Sequence, residues 1–324
     1  MSQFANFLLL VVTLAVVGHT HAQTVLTGVE CTAKLISPRS DVASVYDGAE
    51  TIYIFGGWFY DPSDTLIPYA DTHAYNITSD TISVIGQLPR TSWSGGAWFD
   101  APTGNIYFLR GDGTFLWQYT PSTGETISHG EWRGDSSTVT LVRTWNNKIF
   151  AFGGLTDATA VYEYDIRTGV QGPLGTLPAP SELSVGVYAT ELESTFLFAG
   201  LMGTWAPSLM VHNHSINATT TRATPTFPSF RHGDGSITWD GEFAYIAGAV
   251  VDNGARGNGI IKFNLDSVEA EFIPVNGLAD QLTSTSTVYV PGLNRIYIIG
   301  GYDLRNLDTD QIWYVDLDQG KTKN

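Results

Sequence analysis

Short apolar runs, each halted by glycine, recur along most of the chain. They read TIYIFGG (Thr51–Gly57), NIYFLRG (Asn105–Gly111), KIFAFGG (Lys148–Gly154), TFLFAG (Thr195–Gly200), FAYIAG (Phe243–Gly248) and RIYIIGG (Arg295–Gly301). Their length and their aromatic and β-branched content predict buried strands rather than helices. The terminal glycines stand at 57, 111, 154, 200, 248 and 301, so the pattern returns every 43 to 54 residues. A period of that size marks a repeat architecture.

Each copy carries further parts in the same order. A β-rich run precedes it, such as SVYDG (Ser44–Gly48) or SITWDG (Ser236–Gly241). A variable loop follows, then a strand ending on a turn such as YNITSD from Tyr75 or YDIRTG from Tyr164. Asn, Asp and Gly in those places supply hairpin chemistry. A last strand ends near proline, as in GQLPR from Gly86 and GTLPAP from Gly175. Four antiparallel strands per unit, six units and no amphipathic helix predict an all-β, six-bladed β-propeller. The glycines are expected where neighbouring blades crowd and a side chain would obstruct the backbone. The sixth unit runs out after Gln311–Leu317, and VECTAKLISPR (Val29–Arg39) resembles the missing strand. Residues 29–36 are therefore predicted to pair beside 311–317 and close the ring without an exposed edge.

Composition narrows the partners. Asp and Glu number 32 against 16 Lys and Arg, a formal charge of −16. Such a surface repels phosphate backbones and anionic membranes, which argues against nucleic-acid binding. The first 22 residues, with an apolar stretch from Phe7 to Val17 and small residues Thr20 and Ala22, read as a secretory signal peptide. No later segment resembles a membrane span. Residues 23–324 are then one secreted, extracellular domain. Three acceptor sequons begin at Asn76, Asn213 and Asn217, consistent with a glycoprotein. Cys31 is the single cysteine, so no internal disulfide forms, and a large apolar core must hold the fold.

The strand, glycine pair, variable loop, aromatic-Asp turn and Leu-Pro ending resemble the kelch repeat across the whole predicted mature chain. That resemblance implies a propeller that binds proteins through loops at one mouth of its channel. It also implies that an arginine just before a blade's first strand points into that mouth; Arg39 and Arg231 hold the similar place, with Trp93 and Glu182 near it in two other blades. Trp58, Phe59 and Tyr60 after the first glycine pair, and Trp205 after the fourth, are loop aromatics suited to a sugar face or an apolar side chain. Arg39, Arg231, Trp58 and Trp93 are thus the candidate ligand-binding residues.

Catalysis finds little footing. Galactose-oxidase-like relatives of the fold use copper and a tyrosine cross-linked to cysteine, but Cys31 falls on the expected closing strand. No His-Glu-x-x-His or Gly-x-Ser-x-Gly motif occurs. His212 and His214 could share one strand face and hold a metal, although a solvated turn is the simpler expectation. Asp303, Asp308 and Asp310 lack the glycine-containing calcium loop. The expectation is a secreted, non-enzymatic binding protein without cofactor or metal, whose partner is an extracellular protein or glycan. The alternatives are a lectin-like carbohydrate binder and a carbohydrate-active enzyme such as a sugar isomerase or mutarotase.

Overall fold

A computed structural model of the protein describes residues 24–92, 95–109, 115–132, 140–144, 146–154, 157–181, 184–198, 209–222, 230–231, 236–248, 250–251, 258–278, 282–303, 305 and 307–319. The expected signal peptide lies outside these residues. Among them the structure is all β, with two single-turn 3₁₀ segments (Thr190–Leu192 and Pro291–Leu293) and no α-helix.

The strands form a propeller-like ring of sheets. Four sheets have four strands each and follow one another along the chain, with innermost strands Ala43–Tyr46, Gly96–Asp100, Thr140–Arg143 and Val185–Ala189. An eight-stranded sheet completes the ring and carries an inner strand at each end, Ser236–Trp239 and Ser286–Val290. Its halves meet at Leu26–Glu30, which runs parallel to Glu269–Asn276 and antiparallel to Ile312–Asp316. Neighbouring inner strands lie against one another around a central channel.

The N-terminal segment therefore does pair with the last strand, but the paired residues differ from those expected. Gly28, Val29 and Glu30 face Val315, Tyr314 and Trp313, so the strand is 26–30 rather than 29–36. Beyond Glu30 the regular ladder gives way to single main-chain bonds, Cys31 N–H to the Ile312 carbonyl at 2.9 Å and Leu35 N–H to the Asp310 carbonyl at 2.7 Å. Between them the Asp80 carboxylate of the first sheet accepts the N–H groups of Thr32 (2.7 Å) and Ala33 (3.3 Å).

Second strands such as Asn105–Leu109 and Lys148–Phe152 are buried on both faces, which is why they read as continuous apolar runs. Fourth strands such as Thr81–Gln87 and Glu125–Glu131 have no fully buried residue and mix exposed with half-buried positions. The core lies between sheets. Phe55 of the first sheet stacks on Phe108 of the second at 4.8 Å, and Phe198 meets Phe263 edge-on at 4.9 Å. Fully burying one such ring stabilises the fold by about 1.5–3 kcal/mol.

The glycine pairs have the expected cause, with a sharper form. Gly153 and Gly154 have φ of 72° and 118°, and Gly154 N–H donates to the Ser181 carbonyl at 2.9 Å. A Cβ on Gly153 would land on that carbonyl oxygen. Ser181 belongs to the linker that leads into the next sheet. Gly56–Gly57 grips Ser92 in the same way, and Gly300–Gly301 grips Arg39. The last sheet thus holds the first linker as the first and third sheets hold the linkers that follow them, so the ring closes through main chain as well as through strand 26–30.

Turn chemistry follows the sequence closely. The Asp165 carboxylate accepts the N–H groups of Arg167 and Thr168, both at 2.9 Å. Asn76 and Asn213 use their side-chain oxygens in the same manner at their own hairpins.

Candidate functional site

All the inner strands run from one end of the channel to the other. Toward their starts they enclose about 440 Å³. Hydroxyl groups link them across the walls: Ser44 with Ser286 at 2.6 Å, Ser236 with Thr287 at 2.6 Å, and Thr140 with Ser184. These small residues recur because the inner strands crowd the axis. On Gly186, for example, a Cβ would lie 2.7 Å from the Thr140 methyl group.

Toward the strand ends the channel opens into a recess of about 820 Å³. Tyr46, Trp98 and Tyr188, all half-buried, supply its aromatic surface, and Trp98, Arg143 and Tyr188 also line the narrower cavity. The indole packs against the buried cluster that contains Tyr107 and Leu109. A Cβ on Gly96, two residues earlier on the same strand face, would lie 2.9 Å from Trp98 Cζ2 and 3.2 Å from Leu141 Cβ. Glycine leaves the room that the ring occupies. Tyr188 is backed edge-on by the His214 ring at 5.3 Å, and the Tyr46 hydroxyl donates to the Ala49 carbonyl at 2.6 Å.

Charge in the recess is mostly satisfied internally. Arg143 donates to the Asp100 carboxylate at 2.5 Å, the Asn147 side-chain oxygen at 2.7 Å and the Phe99 carbonyl at 2.7 Å. Burial alone would raise the Asp100 carboxyl, but hydrogen bonds from Thr103 and Arg143 outweigh it and hold it below its usual range. Asp47 Oδ1 accepts the N–H groups of Ala49, Glu50 and Thr51 at 2.8–3.1 Å. Aromatic faces, neutral polar groups and the second Asp47 oxygen are what remain for a ligand.

The residues singled out from sequence lie elsewhere, at the starts of the inner strands or beyond the described residues. Arg39 is 1% exposed; its guanidinium grips Asp71 at 2.7 and 3.0 Å and donates to the Gly56 carbonyl at 2.9 Å. It is sealed inside the joint between the first and last sheets and presents no donor to the mouth. Trp58 is 9% exposed, with its indole N–H on Asp41 at 2.7 Å and its ring against Tyr60 and Tyr302. Arg231 belongs to a two-residue strand paired with Val250–Val251. Trp93, Glu182 and Trp205 lie outside the described residues. The structure thus brings Arg39 and Trp58 to one joint, and that joint is not the open recess. Asn76 is half-buried and Asn213 likewise, while Asn217 is exposed at a left-handed turn position.

His212 and His214 correct the expectation of a solvated turn. Their rings share one strand face, meet edge-on at 4.7 Å and sit against Phe150 and Phe152. Burial pushes His212 down to about 4. Burial, followed by the neighbouring His212 and Lys148, pushes His214 down to about 3. Each ring also has a threonine partner, Thr219 for His212 and Thr195 for His214. Among the described residues no group of three or more His, Cys, Asp or Glu gathers as a metal site. Asp303 and Asp308 serve separate partners: Asp303 holds Arg305, whereas Asp308 accepts Ser40 Oγ and the Tyr60 N–H. Cys31 is buried, accepts the Tyr75 hydroxyl at 3.2 Å, and has its thiol pushed up to about 11 chiefly by burial.

No protein-family model matches the chain, and no curated protein matches it. Among the described residues no helix is long and apolar enough to cross a membrane.

Proposed function

We propose that this chain is a secreted, glycosylated, six-bladed propeller of kelch type that works as a non-enzymatic binding protein, with its ligand seated at the mouth where the inner strands end. The blade count rests on six inner strands that meet around one channel, with strand 26–30 as the outermost strand of the last blade. Kelch character rests on the repeated glycine pairs and Asx turns, and secretion on the apolar N-terminal segment and the sequons. The observation that carries the binding site is the recess of about 820 Å³ floored by Trp98 and Tyr188. Its size falls among ordinary ligand pockets of about 300–1,000 Å³. Arg39 is tied up in an internal ion pair, so the arginine-centred mouth of the kelch resemblance receives less support than the opposite one.

The test is a screen of the secreted chain against the extracellular proteins of its source and a glycan array, repeated with Trp98→Ala. A ligand lost on that substitution, while the variant keeps the parent's circular dichroism and melting temperature, supports the reading. A ligand whose affinity ignores Trp98 sinks it.

A further inference from the structure

We infer that the recess takes an uncharged glycan, one pyranose ring lying with its C–H face on the Trp98 indole. This deepens the binding-protein reading and rests on it.

The first ground is where the indole sits. Trp98 packs against the buried cluster that contains Tyr107 and Leu109 while it lines both the cavity and the recess, and the missing side chain at Gly96 leaves the ring room beside Leu141. A half-buried indole packed against the core beside an open depression is a flat apolar platform that loses little freedom on binding. Tyr188 supplies a second ring at the floor, itself backed by His214. Rigid aromatic faces suit a ligand that is flat on one side and polar at its edges, which describes a sugar ring.

The second ground is charge. Among the described residues the charged groups lining the recess are Asp47 and Arg143. Arg143 is held by Asp100, Asn147 and the Phe99 carbonyl, so no free cation is offered to a sulfate, phosphate or sialic carboxylate. Asp47 would repel such a group, as would the chain's overall charge of −16. One Asp47 oxygen is used by the following turn, and a carboxylate of this kind is a good acceptor for a sugar hydroxyl. Neutral polar groups at the rim, Thr190 among them, complete a surface suited to hydroxyls rather than ions.

A glycan array with neutral, sialylated and sulfated members, followed by titration of the best hits, tests this with the parent chain, Trp98→Ala, Trp98→Phe and Gly96→Ala. Tetramethylammonium serves as a cationic probe. Neutral glycans are expected to bind saturably, with affinity almost independent of salt. Trp98→Ala should lose about tenfold or more, while Trp98→Phe, which keeps a flat face, should lose less. Gly96→Ala should weaken binding by displacing the indole. Thermal melts identify any variant that merely unfolds, and Trp98→Phe keeps the comparison informative if Trp98→Ala does so. Preference for acidic glycans, tighter binding of tetramethylammonium, or silence across the array would overturn the glycan inference. If a protein ligand were instead found and lost in Trp98→Ala, the recess would stand as the site and only the glycan would fall.

Discussion

Arg39 and Asp71 form a two-pronged ion pair, Nη1 to Oδ1 at 2.7 Å and Nη2 to Oδ2 at 3.0 Å, with the arginine side chain 1% exposed. Asp71 also accepts His73 Nε2 at 2.8 Å, and the Arg39 guanidinium lies over the Tyr69 ring at 4.0 Å. Arg39 stands on the linker whose carbonyl is gripped by Gly301, so the pair fastens the first sheet to the last. Removing one partner of a buried pair leaves the other charge desolvated. Arg39→Ala should therefore cost about 3–5 kcal/mol, read from urea unfolding. A loss below about 1 kcal/mol would show that the joint does not depend on this pair.

Acid should destabilise the fold in two stages. Unfolded imidazoles take up protons near pH 6.5, whereas burial holds folded His212 and His214 at about 4 and about 3. Between these values the unfolded chain binds more protons, so stability falls as pH drops below about 6.5 and the loss levels off only near pH 4 to 3. At about pH 5.5 the two rings together account for a loss on the order of 2 kcal/mol. Asp71 adds a later stage. Burial would raise its carboxyl, but His73 and Arg39 outweigh that and hold it well below the usual range. Its contribution is present above about pH 4 and drains away below it. Unfolding curves of the parent and His212→Asn across this range check the assignment. An unchanged slope between pH 6.5 and 4 in that variant would contradict it.

The glycine pairs allow a matched comparison. Gly153 and Gly104 have nearly the same φ, 72° and 70°, but a Cβ on Gly104 meets nothing within 4 Å while one on Gly153 meets the Ser181 carbonyl. Gly104→Ala should cost only the left-handed strain of about 1–2 kcal/mol. Gly153→Ala should cost clearly more, because the linker to the next sheet must move. Equal shifts in melting temperature would mean that backbone conformation, and not the grip on the linker, accounts for the glycine.

Closure at strand 26–30 gives a fourth expectation. Deleting residues 24–30 removes buried Leu26 and uncovers Ile312–Asp316 as a free edge. The shortened chain should melt lower, self-associate in size-exclusion chromatography and be cleaved faster in its last sheet. An unaltered elution volume and melting temperature would mean that the contacts of residues 31–44 with the last sheet, Gly301–Arg39 among them, hold the ring without the strand.

Repeat, strand type, turn chemistry and the partner of the last strand were legible in the sequence because each has a local chemical cause. Glycine must stand where a carbonyl approaches, and Asp165 or Asn76 must start its turn. Strand 26–30 was found in the right place but displaced, because contacts distant in sequence, such as Thr32 N–H on the Asp80 carboxylate some fifty positions away, shape the segment beyond Glu30. The recess was not legible. Tyr46, Trp98 and Tyr188 sit in short apolar strands that look like core, and only the ring shows that their strands face a channel. The spacing Gly96-x-Trp98 was the available sign, and it carries meaning only once both residues are known to share the channel face. Arg39 misled for the complementary reason: its place in the repeat suggests a mouth, while its partner Asp71 is fixed by the fold.

The most direct measurement compares affinity for the first ligand identified between Trp98→Ala, at the ends of the inner strands, and Tyr60→Ala, at the aromatic hairpin by their starts. Recognition through the recess predicts a loss of about tenfold or more for Trp98→Ala and little change for Tyr60→Ala. The opposite pattern, in two variants that both remain folded, would move the binding site to the other mouth and contradict the account.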